Sequence, residues 1–288
     1  MQKQLVYIFK ENKREMATGF LASFGTIWLF IEFSSALFDS VKTYTSNNSW
    51  SFLISAVGVS LIFAFWKAWP ILKMSKKFKA SSTEICVKIG DLFSQPHNIV
   101  VTTSDFFDTS IPQGTRVSLK SQMIDKFFSG NIQTLDTLIN QSLTNQGAVG
   151  VYEASKNGKK HRFPIGTIAV VPTSQNRIFI TILAALTFQN NIKHTTSDPT
   201  KLNIALNELW KQVRIEGRMK EVSVPILGSG LAGISLSNLM VIESIIMSYA
   251  INSKTSRISD KLTIVIPESK YDPKDFHEIN GFLNTIQI

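Results

Sequence analysis

Apolar residues are spread unevenly along this chain. Met16 to Phe38 and Trp50 to Leu72 are long apolar runs with one ionisable residue each, Glu32 and Lys67. A helix needs about 20 residues to cross a hydrocarbon core of about 30 Å, so each run is long enough to span a bilayer. Beyond Lys73 the pattern changes to short segments of alternating type. Ile85–Lys88 and Asn98–Thr103 are β-branched and read as strands. Ser121–Phe128 and Ile132–Leu143 have helical spacing. Val149–Tyr152 and His161–Thr167 flank Asn157-Gly158, a hairpin signal. Thr167–Val171 and Ile178–Leu186 are apolar runs of the buried-strand kind. Asp198-Pro199 opens a helix, with Asp as N-cap and Pro at the first position. Leu202, Leu206, Leu209, Trp210 and Val213 form its apolar face. Glu221–Leu227 reads as a strand, Ser235–Ile251 as a helix, Leu262–Pro267 as a strand and Pro273–Ile286 as a helix. This alternation predicts a mostly parallel or mixed sheet with helices on both faces. Lys73–Thr83 reads as a linker, so the expected division is an anchor over residues 1–79 and an α/β domain over 80–288.

Charge orients the anchor. The chain carries a net charge of +9, and much of it lies beside the two runs. Lys3, Lys10, Lys13 and Arg14 precede the first; Lys67, Lys73, Lys76, Lys77 and Lys79 lie at or after the end of the second; the loop between holds only Lys42. Lys and Arg concentrate on the cytoplasmic side, which predicts a multi-pass inner-membrane protein with both termini in the cytoplasm. Trp50 suits one interface, and Trp66 and Trp69 the other. A cleaved signal peptide is disfavoured by the length of the first run and by Glu32. A buried helical hairpin in a soluble protein is disfavoured by how few polar residues break either run. Ala56, Ser60, Ala64 and Ala68 share one helix face, as do Thr18, Ala22 and Thr26; small faces let helices pack closely in lipid, though small residues are also common in such helices. Glu32 reads either as a pore or oligomer-interface group or as a side chain near the outer interface.

Catalytic chemistry is sparse. Cys86 is the single cysteine, and His97, His161, His194 and His277 are scattered, with neither an HExxH pair nor a GxSxG elbow. No metal, cofactor or catalytic residue is expected. Two loops stand out. Gly228-Ser229-Gly230-Leu231-Ala232-Gly233 joins a strand to a helix, where glycines admit a ligand close to the backbone and helix amides favour an anion. It is neither a P-loop nor a dinucleotide fingerprint, and a plain tight turn is the alternative. Gly90-Asp91-Leu92-Phe93 follows the first strand; Asp91 can accept from an adenine amino group or cap a turn. The basic run Lys156-Asn157-Gly158-Lys159-Lys160-His161-Arg162 raises a nucleic-acid module, but a solvated hairpin tip explains it more simply, and no nucleic-acid partner is expected.

The early Gly-Asp turn and the late glycine loop together resemble the macro domain family, over roughly Ser82 to Ile288. More closely, the chain resembles the macro-domain effectors of type II Thoeris antiphage defence. The markers are the two spans, then Val87 to Phe93, Asn98 to Val101, Asp105 to Thr109, Phe163 to Thr167, and Pro225 to Gly233. The resemblance implies two transmembrane helices followed by a macro-like α/β domain that binds an ADP-ribose derivative. The site would comprise Asp91 and Leu92 beside adenine, Thr103, and Leu227, Gly228, Ser229, Gly230, Leu231, Ala232, Gly233 and Ile234 around the diphosphate. It further implies that a TIR-domain protein makes a histidine–ADP-ribose signal, that the effector is a homo-oligomer, and that its membrane part then disrupts the bilayer and kills the cell. The usual Asn and glycine run of the first ligand loop is replaced here by Thr102 to Thr115. That substitution points away from hydrolysis and toward a site reshaped for a modified ligand. Asp105 and Asp108 are then candidates to meet the signal's cationic amine or imidazole, or else loop caps. The competing reading is a membrane-tethered ADP-ribosyl hydrolase using one of those two carboxylates.

Overall fold

A computed structural model describes residues 12–69, 71–78, 82–110, 118–189, 192–228 and 233–286. The chain divides into two compact units. One comprises the helices up to Leu72 together with Asp272–His277, the other Lys73–Tyr271 with the C-terminal residues from Glu278.

The first unit is a helical hairpin. Helix α1 (Lys13–Leu37) and helix α3 (Ser49–Lys67) each contain an 18-residue stretch, of mean hydropathy 1.5 and 1.8, and are apolar and long enough to cross a membrane. Between them the expected loop is a short helix, α2 (Asp39–Asn47). Phe38, in extended conformation, makes the corner before it. Ala56, Ser60 and Ala64 form the buried face of α3. Gly19 is the buried residue of α1, and a Cβ there would lie 3.3 Å from Ala64 Cα, so the backbones meet at small residues. The Ser60 hydroxyl donates to its own helix at Ala56 O, 2.6 Å, which removes a buried donor. Thr18, Ala22 and Thr26 lie on the exposed side of α1, as does Glu32.

The second unit is an α/β domain on a mixed sheet of eight strands, as the alternation predicts. Strands β1 (Lys73–Phe78), β2 (Thr83–Ile89), β3 (His97–Ser104), β6 (Ile168–Pro172), β7 (Asn176–Gln189), β9 (Val222–Pro225) and β10 (Lys261–Ile266) run in the order β1-β2-β10-β9-β3-β7-β6, and β8 (Ile192–Thr196) pairs with β7. The strands from β2 to β7 in that order are parallel; β1, β6 and β8 are antiparallel to their neighbours. Their apolar runs follow from burial on both faces. Helices α4 (Leu119–Phe128) and α5 (Ile132–Asn145) pack Met123, Ile124, Leu135 and Ile139 onto Ile99, Val101, Ile178 and Ile180. On α6 (Pro199–Glu216), Asp198 accepts from the Lys201 amide at 2.9 Å and all five predicted apolar residues are buried. Trp210 ties α6 to α7 (Asn238–Thr255): its ring meets Tyr249 edge-on at 5.2 Å and its Nε1 donates to Ser248 Oγ. The last helix is α8 (Pro273–Thr285).

One expectation is overturned. Lys73–Thr83 is not a linker, because Lys73–Phe78 is the edge strand β1, with Met74 and Phe78 buried and lysines between. Lys76 is not simply solvated. Its ammonium donates to the carbonyls of Leu283, Asn284 and Ile286 at 2.9, 3.1 and 2.8 Å, closing the end of α8 where the helix dipole is negative.

Candidate ligand-binding site

Parallel strands deliver their carboxyl ends to one edge of the sheet, and ligands of open α/β folds bind there. Four turns leave that edge, after β2, β10, β9 and β3. Ile89 pairs with Ile266 and Val265 with Pro225, so the first three strands end almost level.

After β2, the Gly90 amide donates to Ile266 O at 3.0 Å. Asp91 then organises the turn: Oδ1 accepts from the Phe93 amide at 3.0 Å and Oδ2 from Ser94 Oγ at 2.6 Å, with Lys126 Nζ 3.7 Å away. Partial burial pushes its carboxyl up, but the Ser94 hydroxyl, the Phe93 amide and Lys126 outweigh this and hold it below the usual carboxylate range. The carboxylate remains about half exposed. Leu92 turns inward and is buried beside Phe93.

After β9, Ile226 and Leu227 are buried and the chain turns at Gly228, φ +71°. A Cβ there would stand 2.2 Å from Ile234 Cδ1, so glycine is required by conformation and by space. Ile234 packs back on this turn. Gly233 also has positive φ, +58°, but in open surroundings. Ser229, Gly230, Leu231 and Ala232 lie outside the described residues. Helix α7 begins at Asn238 with Ser237 as its N-cap, a few residues later than the sequence pattern indicates.

After β10 comes the turn Glu268–Lys270, then Tyr271, which is buried. Burial lowers the Lys270 ammonium from its ordinary range. Sequence reasoning does not single out either residue; only their place between the Asp91 turn and the Gly228 turn does.

After β3, the register shifts between Thr103 and Ser104, and Thr103 is half-buried. Asp105 is buried. Its Oδ1 accepts from the Leu186 amide at 3.0 Å and its Oδ2 from Arg162 at 3.1 Å. Burial raises this carboxyl, against the pull of the Leu186 amide and Arg162. Asp108 Oδ1 accepts from Lys156 Nζ at 2.9 Å. Both carboxylates are thus engaged within the protein, by residues from a single hairpin, β4 (Val151–Tyr152) and β5 (His161–Arg162), with residues 153–160 between. The hairpin is where Asn157-Gly158 predicts it. Its basic run is solvated only in part: Asn157, Gly158 and His161 are exposed, whereas Lys156 is 1% exposed and its ammonium lies 4.7 Å from the Phe106 ring centroid.

A groove of about 560 Å³ is lined by residues of α6 and α7, among them Asn203, Asn207, Met240, Met247 and Ile251, with Phe282 of α8, and by no residue of these four turns. Its lining lacks phosphate-binding turns, so the strand edge is the better ligand site on chemistry.

Comparison with known proteins bears on the fold and the family. The Thoeris protein ThsA from Bacillus amyloliquefaciens (strain Y2) is 22% identical over 239 residues, covering 80% of this chain and 78% of that protein. A macrodomain mutant from Oceanobacillus iheyensis superposes with a TM-score of 0.51 at 11% identity, covering 75% of this chain and all of the other. A second mutant of that macrodomain, solved with ADPR, gives 0.50 at 12% identity over 74% of this chain and all of the other. These likenesses show the macro-like fold. The model of the family described as "Thoeris protein ThsA, Macro domain" matches residues 85–267, most of the head, and the chain therefore belongs to that family.

Proposed function

We propose that this protein is a membrane-anchored effector of antiphage defence whose macro-like head binds an ADP-ribose-derived signal, histidine–ADP-ribose, made by a TIR-domain protein. The observation that carries the reading is the pairing of two turns at one sheet edge: the glycine-dependent turn at Gly228, with Ile234 packed on it, and the Gly90-Asp91 turn, with β10 between them. The first suits a diphosphate and the second an adenine. The solved relative with ADPR and the ThsA family membership support the ligand class.

Binding rather than hydrolysis is favoured by Asp105 and Asp108. Both oxygens of Asp105 are engaged, by the Leu186 amide and Arg162, and Asp108 is paired with Lys156, so these lone pairs are directed into the protein rather than toward a water. The apolar helices α1 and α3 support an inner-membrane anchor with both termini in the cytoplasm. In this scheme the signal binds one arrangement of a homo-oligomer better than another and shifts the population toward it. The hairpins then repack and the bilayer is disrupted.

The test is cellular. The full chain is co-expressed with a TIR-domain enzyme that makes the conjugate, and the membrane fraction and dye uptake are followed. Retention in carbonate-washed membranes with dye uptake only when the signal is made supports the reading. A soluble chain, or dye uptake independent of the signal, contradicts it.

A further inference from the structure

We propose that Lys156 and Lys159, on the loop of the β4–β5 hairpin, are positioning residues that hold segment 105–110 against the distal end of the ligand and so set which ADP-ribose derivatives bind. This rests on the ligand reading above. Across the sheet edge the order is β2, β10, β9, β3. Strands lie about 4.8 Å apart, so β3 stands about 14 Å from β2. A ligand with adenine at Asp91 and diphosphate at Gly228 meets the segment after β3 with its remaining ribose and whatever that ribose carries.

That segment is held in an unusual shape. Phe107 has φ +50°, an outlier for a bulky side chain, and such a backbone persists only where its surroundings enforce it. The hairpin does so residue by residue. Lys159 Nζ donates to Phe107 O at 2.8 Å and also pairs with Asp136 of α5, which accepts from Thr109 Oγ1 at 2.7 Å. Lys156 pairs with Asp108. Arg162 pairs with Asp105, the Phe163 amide donates to Asp105 O at 2.7 Å, and the Phe163 ring meets that of Phe107 at 5.6 Å. Burying an ammonium as fully as that of Lys156 is costly unless it is paired, and a hairpin needing only solubility would leave it in water. The clamp therefore serves the segment it grips.

The test compares ADP, which lacks the distal ribose, with ADP-ribose, by calorimetric titration of the full chain in detergent. The variants are Lys159→Met and the charge-neutral pair Lys156→Met with Asp108→Asn, which leaves no unpaired buried charge. The expected result is a loss of about tenfold or more in ADP-ribose affinity with ADP changed by less than about twofold. Equal losses for both ligands, or no loss for ADP-ribose, overturn the positioning role while leaving the ligand reading intact. If the paired variant does not fold, Lys159→Met decides alone, because its side chain is partly exposed. Failure of the unaltered chain to bind either ligand overturns the ligand reading and the clamp with it.

Discussion

Replacing Gly228 with alanine tests the turn on which the site depends. The backbone there has φ +71°, and an L-residue in that region costs about 1–2 kcal/mol. The new Cβ would also stand 2.2 Å from Cδ1 and 2.5 Å from Cγ1 of Ile234, which is buried and stiff at χ1. Forcing it aside adds about 1–3 kcal/mol of overpacking. The sum, about 2–5 kcal/mol, lowers the melting temperature by about 4–20 °C for a domain of about 200 residues. Gly233→Ala is the control, since its φ is +58° but nothing lies within 4 Å of the added atom. It should cost only the conformational part, about 1–2 kcal/mol. A double-mutant cycle of Gly228→Ala with Ile234→Ala, followed by scanning calorimetry of the full chain, isolates the steric part as a coupling of about 1–3 kcal/mol. The reasoning is refuted if Gly228→Ala melts no lower than Gly233→Ala, or if the coupling is indistinguishable from zero.

Other changes separate the remaining contacts. Asp91 is held below the usual carboxylate range, so its stabilisation is present above its unfolded pKa and is lost as pH falls through the folded one, at and below about pH 4. Melting curves against pH should therefore show the unaltered chain losing stability relative to Asp91→Asn in that window; a gain would contradict the assignment. Asp105→Ala strips the buried Leu186 amide of its acceptor and should cost about 1–3 kcal/mol by denaturant titration, whereas an unchanged midpoint would mean the amide finds another partner. Lys76→Met removes the ammonium at the end of α8 and should cost about 1–2 kcal/mol, with faster hydrogen exchange confined to the last turn of that helix. Gly19→Val pushes against Ala64 and Lys67 and should speed proteolysis within the detergent-solubilised hairpin; equal rates would mean that α1 and α3 do not rely on close approach there.

Local signals carry much of this architecture. Asp198-Pro199 and five apolar residues at helical spacing specify α6, and short runs rich in β-branched residues, their apolar character broken only by Ser223 and Thr263, mark β9 and β10. Lys73–Phe78 hides a strand because its alternation is carried by Met74 and Phe78 alone, among lysines that also suit a membrane flank. Strand β8 is missed because Ile192–Thr196 is mostly polar and depends on pairing with β7. In the site, Gly228 is legible because glycine serves a backbone need that a sequence can display. The engagement of Asp108 by Lys156 is not, since the partners lie 48 residues apart and only the fold brings them together. A basic run read alone is a solvated face; read with Asp105, Asp108 and Asp136 it is a clamp.

The most direct measurement is calorimetric titration of the full chain in detergent with histidine–ADP-ribose and with ADP-ribose, followed by chromatography of the recovered ligand. The account predicts saturable binding, tighter for the conjugate, with the ligand recovered intact. Absence of heat from either ligand, or steady cleavage of the bound one, would contradict the claim that this head is a sensor for an ADP-ribose-derived signal.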